Sequence, residues 1–318
     1  MSCNSVFVIG PTAVGKTALG VRLAHRFGGE VLSADSRQVY KGLDIGSGKD
    51  LKEYDVPAEG GTVRVPHHLI DVCALETEFS LFDFQEAFYA AFADVRSRRR
   101  LPVCVGGTGL YIDSVLRKYD MVPVPKNPVM EAELRGKSVA ELEAILIAEK
   151  EKLHNTTEFG DKERLIKAIA INRFNKSAAC AETRASLARP DVRPLVIGTT
   201  LPRPVVRERI RRRLSERMDE GLVEEVEGLH ALGASWRRLE SLGLEYRFVS
   251  AYLQGSIATK EELLELLGRA IGQFAKRQET WFRGMERKGV EIRWLPQTPD
   301  LRARFRAACE LVEAHVFG

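Results

Sequence analysis

The stretch that most constrains this chain is GPTAVGKT, residues 10–17. An apolar run at residues 6–9 leads into it, and a helix-patterned segment at residues 17–27 follows, closed by Gly28 and Gly29. It fits G-x-x-x-x-G-K-[ST], a loop that binds phosphate between a strand and a helix. Glycine permits backbone conformations in which successive N–H groups face phosphate oxygens. The helix after the loop offers its N-terminal end to the same anion. Lys16 adds a point charge, and the Thr17 hydroxyl can ligate Mg2+. The motif leaves open which molecule carries the phosphates.

Further strands are expected at residues 30–34, around 68–72, within LPVCVGGTG at residues 101–109, and at 193–201. Helices are expected at residues 80–95, from about 110, and at 204–219, 222–232 and 260–285. Ser80 and Asp83 have capping-box spacing. Strands alternating with helices predict a parallel α/β sheet covered on both faces. Residues 117–190 interrupt that alternation. They contain two helical patterns, SVAELEAILIAEKEKLH and DKERLIKAIAINRF, and Pro123, Pro125 and Pro128 mark where they begin. The expected organisation is a core of residues 1–116 plus 191–318, with residues 117–190 as a helical insertion.

Of the 318 residues, 44% are apolar and 29% charged, ordinary for a soluble globular chain. No apolar run reaches the roughly 18–20 residues of a membrane span. The five cysteines are scattered, and none forms a C-x-x-C pair, which argues against a zinc site or a disulfide framework. With no secretory leader pattern, the expected location is cytoplasmic. The net charge is +4, with arginines clustered at Arg96, Arg98, Arg99 and Arg100, and again from Arg203 to Arg213. Either cluster suits a polyanion, and equally a solvated helix face.

Several motifs gather where strands end. Asp35 and Ser36 follow the second strand, at the sheet edge where ligands bind in open α/β folds. On spacing alone Asp35 serves equally as general base, metal ligand or cap. Residues 106–111, GGTGLY, end the fourth strand and let a backbone approach a ligand closely. At least one of Arg207, Arg209, Arg212 and Arg213 is placed to fork onto phosphate oxygens. In the helix expected at 260–285, Arg269, Gln273, Lys276, Thr280 and Arg283 share a polar face, with Leu263, Leu267, Ile271, Phe274 and Trp281 opposite. That face is either solvated or a track for a phosphate backbone. His67 and His68 lack a second ligand pair and read as structural.

In this order, GPTAVGKTALG, SADSRQVYKGLDIGSGK, VPHHLIDV, LPVCVGGTGLYI, LPRPVVRERIRRR, MDEGLVEEV and AKRQETWFR resemble the motifs of the bacterial-type tRNA dimethylallyltransferases. The resemblance covers most of the chain. It implies a P-loop NTPase-like parallel sheet core with a mainly helical insertion domain that grips tRNA. The implied reaction moves a dimethylallyl group from its diphosphate to N6 of the adenosine beside the anticodon, with Mg2+. Gly10, Pro11, Thr12, Ala13, Val14, Gly15, Lys16 and Thr17 would hold the diphosphate, with Thr17 on the metal. Asp35 matches the family's general base, Thr108 a residue near the reacting centre, and Arg209 a diphosphate-binding arginine. Asp35, Ser36, Arg37, Gln38 and Thr108 match tRNA contacts, as does the stretch Glu163, Arg164, Leu165, Ile166 and Lys167. Glu163 and Lys167 replace the usual glutamine and arginine, and GLEY at residues 243–246 stands where the family has a GYKE-like segment. The implied partners are a tRNA anticodon stem-loop and dimethylallyl diphosphate, without a membrane, and the chain is expected to be a monomer. Two rival readings are prenylation of free AMP or ADP, and a small-molecule kinase in which Asp71 supplies the metal-binding carboxylate.

Overall fold

The computed structural model describes residues 2–149, 160–187 and 189–318. They divide into two compact units, residues 1–119 with 190–318, and residues 120–189.

The larger unit starts with strand β1 (Ser5–Ile9), helix α1 (Lys16–Arg26) and β2 (Gly29–Ser33). A hairpin, β3 (Asp55–Ala58) and β4 (Gly61–Arg64), precedes the two-residue β5 (His67–His68). Next come α2 (Leu81–Ser97), β6 (Leu101–Gly106) and α3 (Gly109–Leu116). The smaller unit holds α4 (Pro128–Arg135), α5 (Val139–Glu149), α6 (Lys162–Asn175) and α7 (Ala178–Ser186). The chain then returns through β7 (Pro194–Gly198) to α8 (Arg203–Asp219), α9 (Leu222–Ala231), α10 (Trp236–Ser241), α11 (Leu244–Leu253), α12 (Lys260–Arg287), β8 (Arg293–Trp294) and α13 (Leu301–Val312).

Six strands form one parallel sheet in the order β5-β2-β6-β1-β7-β8. β1, β2 and β6 are buried along their whole length, as a parallel sheet covered on both faces requires. Strand alternation sorts β1 between two cores. Val6 and Val8 pack with Leu19 and Leu23 of α1 and with Ala308 and Val312 of α13. Phe7 and Ile9 pack with Phe84 and Phe88 of α2, Ile112 of α3 and Phe282 of α12. Each such buried side chain contributes roughly 1.5–3 kcal/mol. The capping box at Ser80 is present, with Ser80 and Asp83 satisfying each other's backbone N–H. Helices α8 to α12 build a third core with Val39 and Leu43. No helix among the described residues is long and apolar enough to cross a membrane.

The parallel α/β sheet is as expected, but three details differ. The third strand is His67–His68, because Leu69 and Asp71 take left-handed backbone conformations (φ 66° and 56°) that end it. The β3–β4 hairpin was not expected: its second strand is exposed and lacks the alternation of a half-buried strand. β8 is only two residues long.

In the smaller unit, Leu134, Leu142, Leu146, Leu165, Ile166 and Ile169 form a core between α4, α5 and α6. Arg173 grips Glu149 through two nitrogens, at 2.7 and 3.0 Å. The end of the expected helix at residues 150–154 lies outside the described residues.

Candidate active site

The C-terminal ends of β1, β2 and β6 open into a cavity of about 560 Å3. Lys16 and Thr17 line it from the phosphate loop, Asp35 to Gln38 from the turn after β2, and Gly106 to Gly109 from the turn after β6. Ile271, Phe274, Gln278 and Trp281 of α12 close another side, and Arg213 and Arg217 of α8 reach in. The sheet therefore brings the three glycine-rich or polar strand ends together, at the edge expected for a ligand.

The loop between β1 and α1 bends through left-handed conformations at Ala13 (φ 63°) and Gly15 (φ 79°). Gly10 must be glycine: its φ is 159°, and a Cβ there would run into the Thr199 carbonyl at the end of β7. Lys16 Nζ donates to the Pro11 carbonyl at 3.1 Å. Burial lowers the Lys16 pKa to about 8; Asp35 opposes that shift and Arg213 adds to it. The Thr12 N–H donates to Gln278 Oε1 at 2.9 Å, and Gln278 Nε2 donates to the Gly107 carbonyl at 2.9 Å. Gln278 thus staples two glycine turns to α12, and the Thr12 N–H is spent on that staple.

Asp35 caps the turn after β2. Its Oδ1 accepts the N–H groups of Arg37 at 2.8 Å and Gln38 at 3.4 Å, while no described residue hydrogen-bonds Oδ2. Thr108, at the start of α3, accepts the Ser36 N–H at 3.0 Å, and its hydroxyl lies 3.4 Å from Ser36 Oγ. Gln38 accepts from Ser33 and donates to the Gly48 carbonyl. Asp35, Ser36, Gln38 and Thr108 are therefore one connected network on the wall beside Lys16.

The arginines of α8 divide. Arg209 flanks the phosphate loop at Gly15 and sits 3.4 Å from the Pro299 carbonyl, outside the cavity lining. Arg213, one turn later, lines the cavity and contacts Asp50 at 3.2 Å. Arg217 pairs with Glu245 at 3.5 Å inside the cavity. Burial raises the Glu245 pKa, and burial together with Arg213 lowers that of Arg217. Both guanidiniums converge on Gly48, where φ is +66° and a Cβ would overlap Arg217. The loop carrying Gly46 and Gly48 is held from behind. Glu225 accepts the N–H groups of Asp44, Ile45 and Gly46 and the Tyr246 hydroxyl. Lys49 donates to Asp44 at 2.8 Å, Asp71 at 2.6 Å and the Tyr40 carbonyl at 3.0 Å. That pairing occupies Asp71, the carboxylate on which a kinase reading would depend.

Other expectations need correction. Leu165 and Ile166 belong to the core of the smaller unit, because they face α4 and α5; only Glu163, Arg164 and Lys167 of that stretch are exposed. Phe274 and Trp281 share a helical stripe with true core residues, yet they are 39% and 43% exposed and form cavity wall. Arg98 is structural, clamping the buried Glu30 together with His68. His67 stacks on Tyr54. On the polar side of α12, Arg269 and Arg283 are engaged with Glu265 and Glu286. Lys276, Arg277 and Arg287, with Lys288 just past the helix, line a groove of about 760 Å3.

Among the described residues, no group of three or more His, Cys, Asp or Glu side chains converges on a metal position. The cavity does offer the hard oxygens of Thr17 and Asp35. A Mg2+ ion held by one or two protein oxygens, phosphate oxygens and water fits that set.

Comparison with known proteins identifies the family. The family model described as IPP transferase matches residues 38–285, and one described as isopentenyl transferase matches residues 4–56. tRNA dimethylallyltransferase 2 of Treponema denticola is 53% identical over 292 residues, 92% of this chain and 95% of that protein. tRNA dimethylallyltransferase 2 of Syntrophotalea carbinolica is 52% identical, over 94% of this chain and 96% of that protein. The crystal structure of the tRNA isopentenylpyrophosphate transferase of Bacillus halodurans is 31% identical with a TM-score of 0.68, covering 99% of this chain and 97% of that one. A eukaryotic dimethylallyltransferase acting on tRNA shares the fold, with a TM-score of 0.74 at 22% identity. A phosphate loop, an acidic turn and a stapling helix around one cavity, with relatives about half identical over almost the whole length, place this chain in the tRNA dimethylallyltransferase family.

Proposed function

We propose that the cavity binds dimethylallyl diphosphate on the phosphate loop and the target adenosine of a tRNA on the Asp35–Thr108 wall. The carrying observation is that Lys16, Thr17, Asp35 and Thr108 line one cavity. The reaction is prenyl transfer. The adenine N6 lone pair attacks the allylic carbon, the carbon–oxygen bond breaks, and its electrons leave with diphosphate. The surplus N6 proton passes to Asp35, whose Oδ2 is open to it. Charge grows on the departing diphosphate, where loop N–H groups, Lys16 and Arg213 are positioned to offset it. Mg2+ held by Thr17 and the phosphate oxygens would supply further positive charge at the same place. Arg209 acts at the rim of the loop, beside Gly15.

The acceptor is the anticodon stem-loop, with the adenine unstacked to enter the cavity. Phe274 and Trp281 give a base or a prenyl chain an apolar surface. The basic groove on α12 suits the adjoining phosphates. Exposed Arg164 and Lys167 give the smaller unit positive charge to offer RNA, while Glu163 beside them pairs with Arg135 at 3.5 Å. The site is complete within one chain, which favours a monomer, and a tRNA substrate favours the cytoplasm.

The test incubates the enzyme with Mg2+, carbon-labelled dimethylallyl diphosphate and an unmodified anticodon stem-loop. Label recovered as N6-dimethylallyladenosine beside the anticodon is the expected result. Label on free AMP alone, or none on RNA, overturns the proposal.

A further inference from the structure

Arg304 lies on α13, and among the described residues it is the only fully buried arginine, at 1% exposure. Its Nη1 donates to the Val14 carbonyl at 2.7 Å and to Thr199 Oγ1 at 2.9 Å. Its Nε–H is buried without an acceptor. None of the ion pairs among the described residues includes it; Asp300 acts on it only through its field, and the nearby Arg209 adds like charge. Its Nη2 and Arg209 Nη1 come within 3.7 and 3.8 Å of the space that a side chain at Gly15 would fill. Two guanidiniums therefore meet beside the phosphate loop, at Gly15.

A buried charge without a partner is strongly unfavourable. A side chain kept there for packing alone has no need of it. Its hydrogen bond also has a directional consequence. In a trans peptide the carbonyl and the next N–H point in opposite directions. Fixing the Val14 carbonyl toward Arg304 aims the Gly15 N–H away from it.

We propose that Arg304 is a positioning residue for the phosphate loop, and that its unmatched charge is matched by the diphosphate the loop takes up. It reaches no reacting atom. It orients the peptide between Val14 and Gly15 and adds a positive field from below. The inference rests on the assignment of this loop to diphosphate.

The test uses the full chain with inorganic pyrophosphate and Mg2+, followed by calorimetry and thermal melting. Arg304→Met is expected to weaken pyrophosphate binding about tenfold or more. Its melting temperature without ligand should be unchanged or higher, because a desolvated charge has gone. The KM for the RNA stem-loop should be unchanged. Arg304→Lys should keep most of the pyrophosphate affinity. Arg304→Gln, which retains a donor toward Val14, covers the case in which the methionine variant does not fold. Equal weakening in the Lys and the neutral variants with a lowered melting temperature would reduce Arg304 to packing and overturn the proposal, as would neutral variants that bind like wild type. If wild type itself does not bind pyrophosphate, the diphosphate reading of the loop fails instead.

Discussion

Asp35 has one carboxylate oxygen committed to the turn, and no described residue hydrogen-bonds the other, which the proposed reaction uses. Oδ1 holds the turn that presents Ser36 and Gln38, so Asp35→Ala would disturb both turn and chemistry. Asp35→Asn keeps an acceptor for the turn and removes the proposed base. It is expected to lower the single-turnover rate at saturating substrate by about 10²–10⁴-fold. Pyrophosphate affinity, read by calorimetry, should be kept; an equal loss would assign Asp35 to the metal. Lys16 makes a second prediction. Its pKa in the free protein is lowered to about 8, whereas a bound polyanion favours the charged form. Diphosphate binding should therefore take up a proton above pH 8. Affinity should fall as pH rises through that value, by up to about tenfold per unit. Calorimetry in buffers of different ionisation enthalpy reads the proton directly, and Lys16→Arg should move the fall to higher pH.

At the scale of elements, α12 shows what could be read from sequence and what could not. Its length and apolar stripe were plain, because a period of 3.6 survives any packing partner. The stripe did not say which apolar residues meet another helix and which meet open space. Phe274 and Trp281 occupy the stripe but border the cavity. Gln278 staples two turns more than 170 positions away, a role that no local pattern marks. The phosphate loop was legible because its chemistry lies in contiguous residues. Glu225 was not, since its value depends on which backbone N–H groups the fold brings to it. Glu225→Ala frees the N–H groups of Asp44, Ile45 and Gly46 together with the Tyr246 hydroxyl. The expected cost is ~2–4 kcal/mol in urea unfolding. The KM for RNA should rise while pyrophosphate affinity holds, and Glu225→Gln should recover part of both losses.

At the scale of the whole chain, the smaller unit leaves and rejoins the larger one at neighbouring points. Lys118 and Asp191, on either side of it, pair at 3.6 Å. Every residue that lines the cavity belongs to the larger unit. Replacing residues 120–189 with a short Gly/Ser linker should therefore give a protein that melts cooperatively and binds pyrophosphate, but transfers no prenyl group to RNA. Loss of cooperative melting would show that the core needs its insertion to fold. The contact between Val14 and Arg304 joins positions 290 apart. On the ribosome the loop emerges first, and Arg304 follows only 290 positions later. Until then the nascent chain carries the loop without the hydrogen bond that orients it. A loop built this way takes its oriented form only once the chain through α13 has been made.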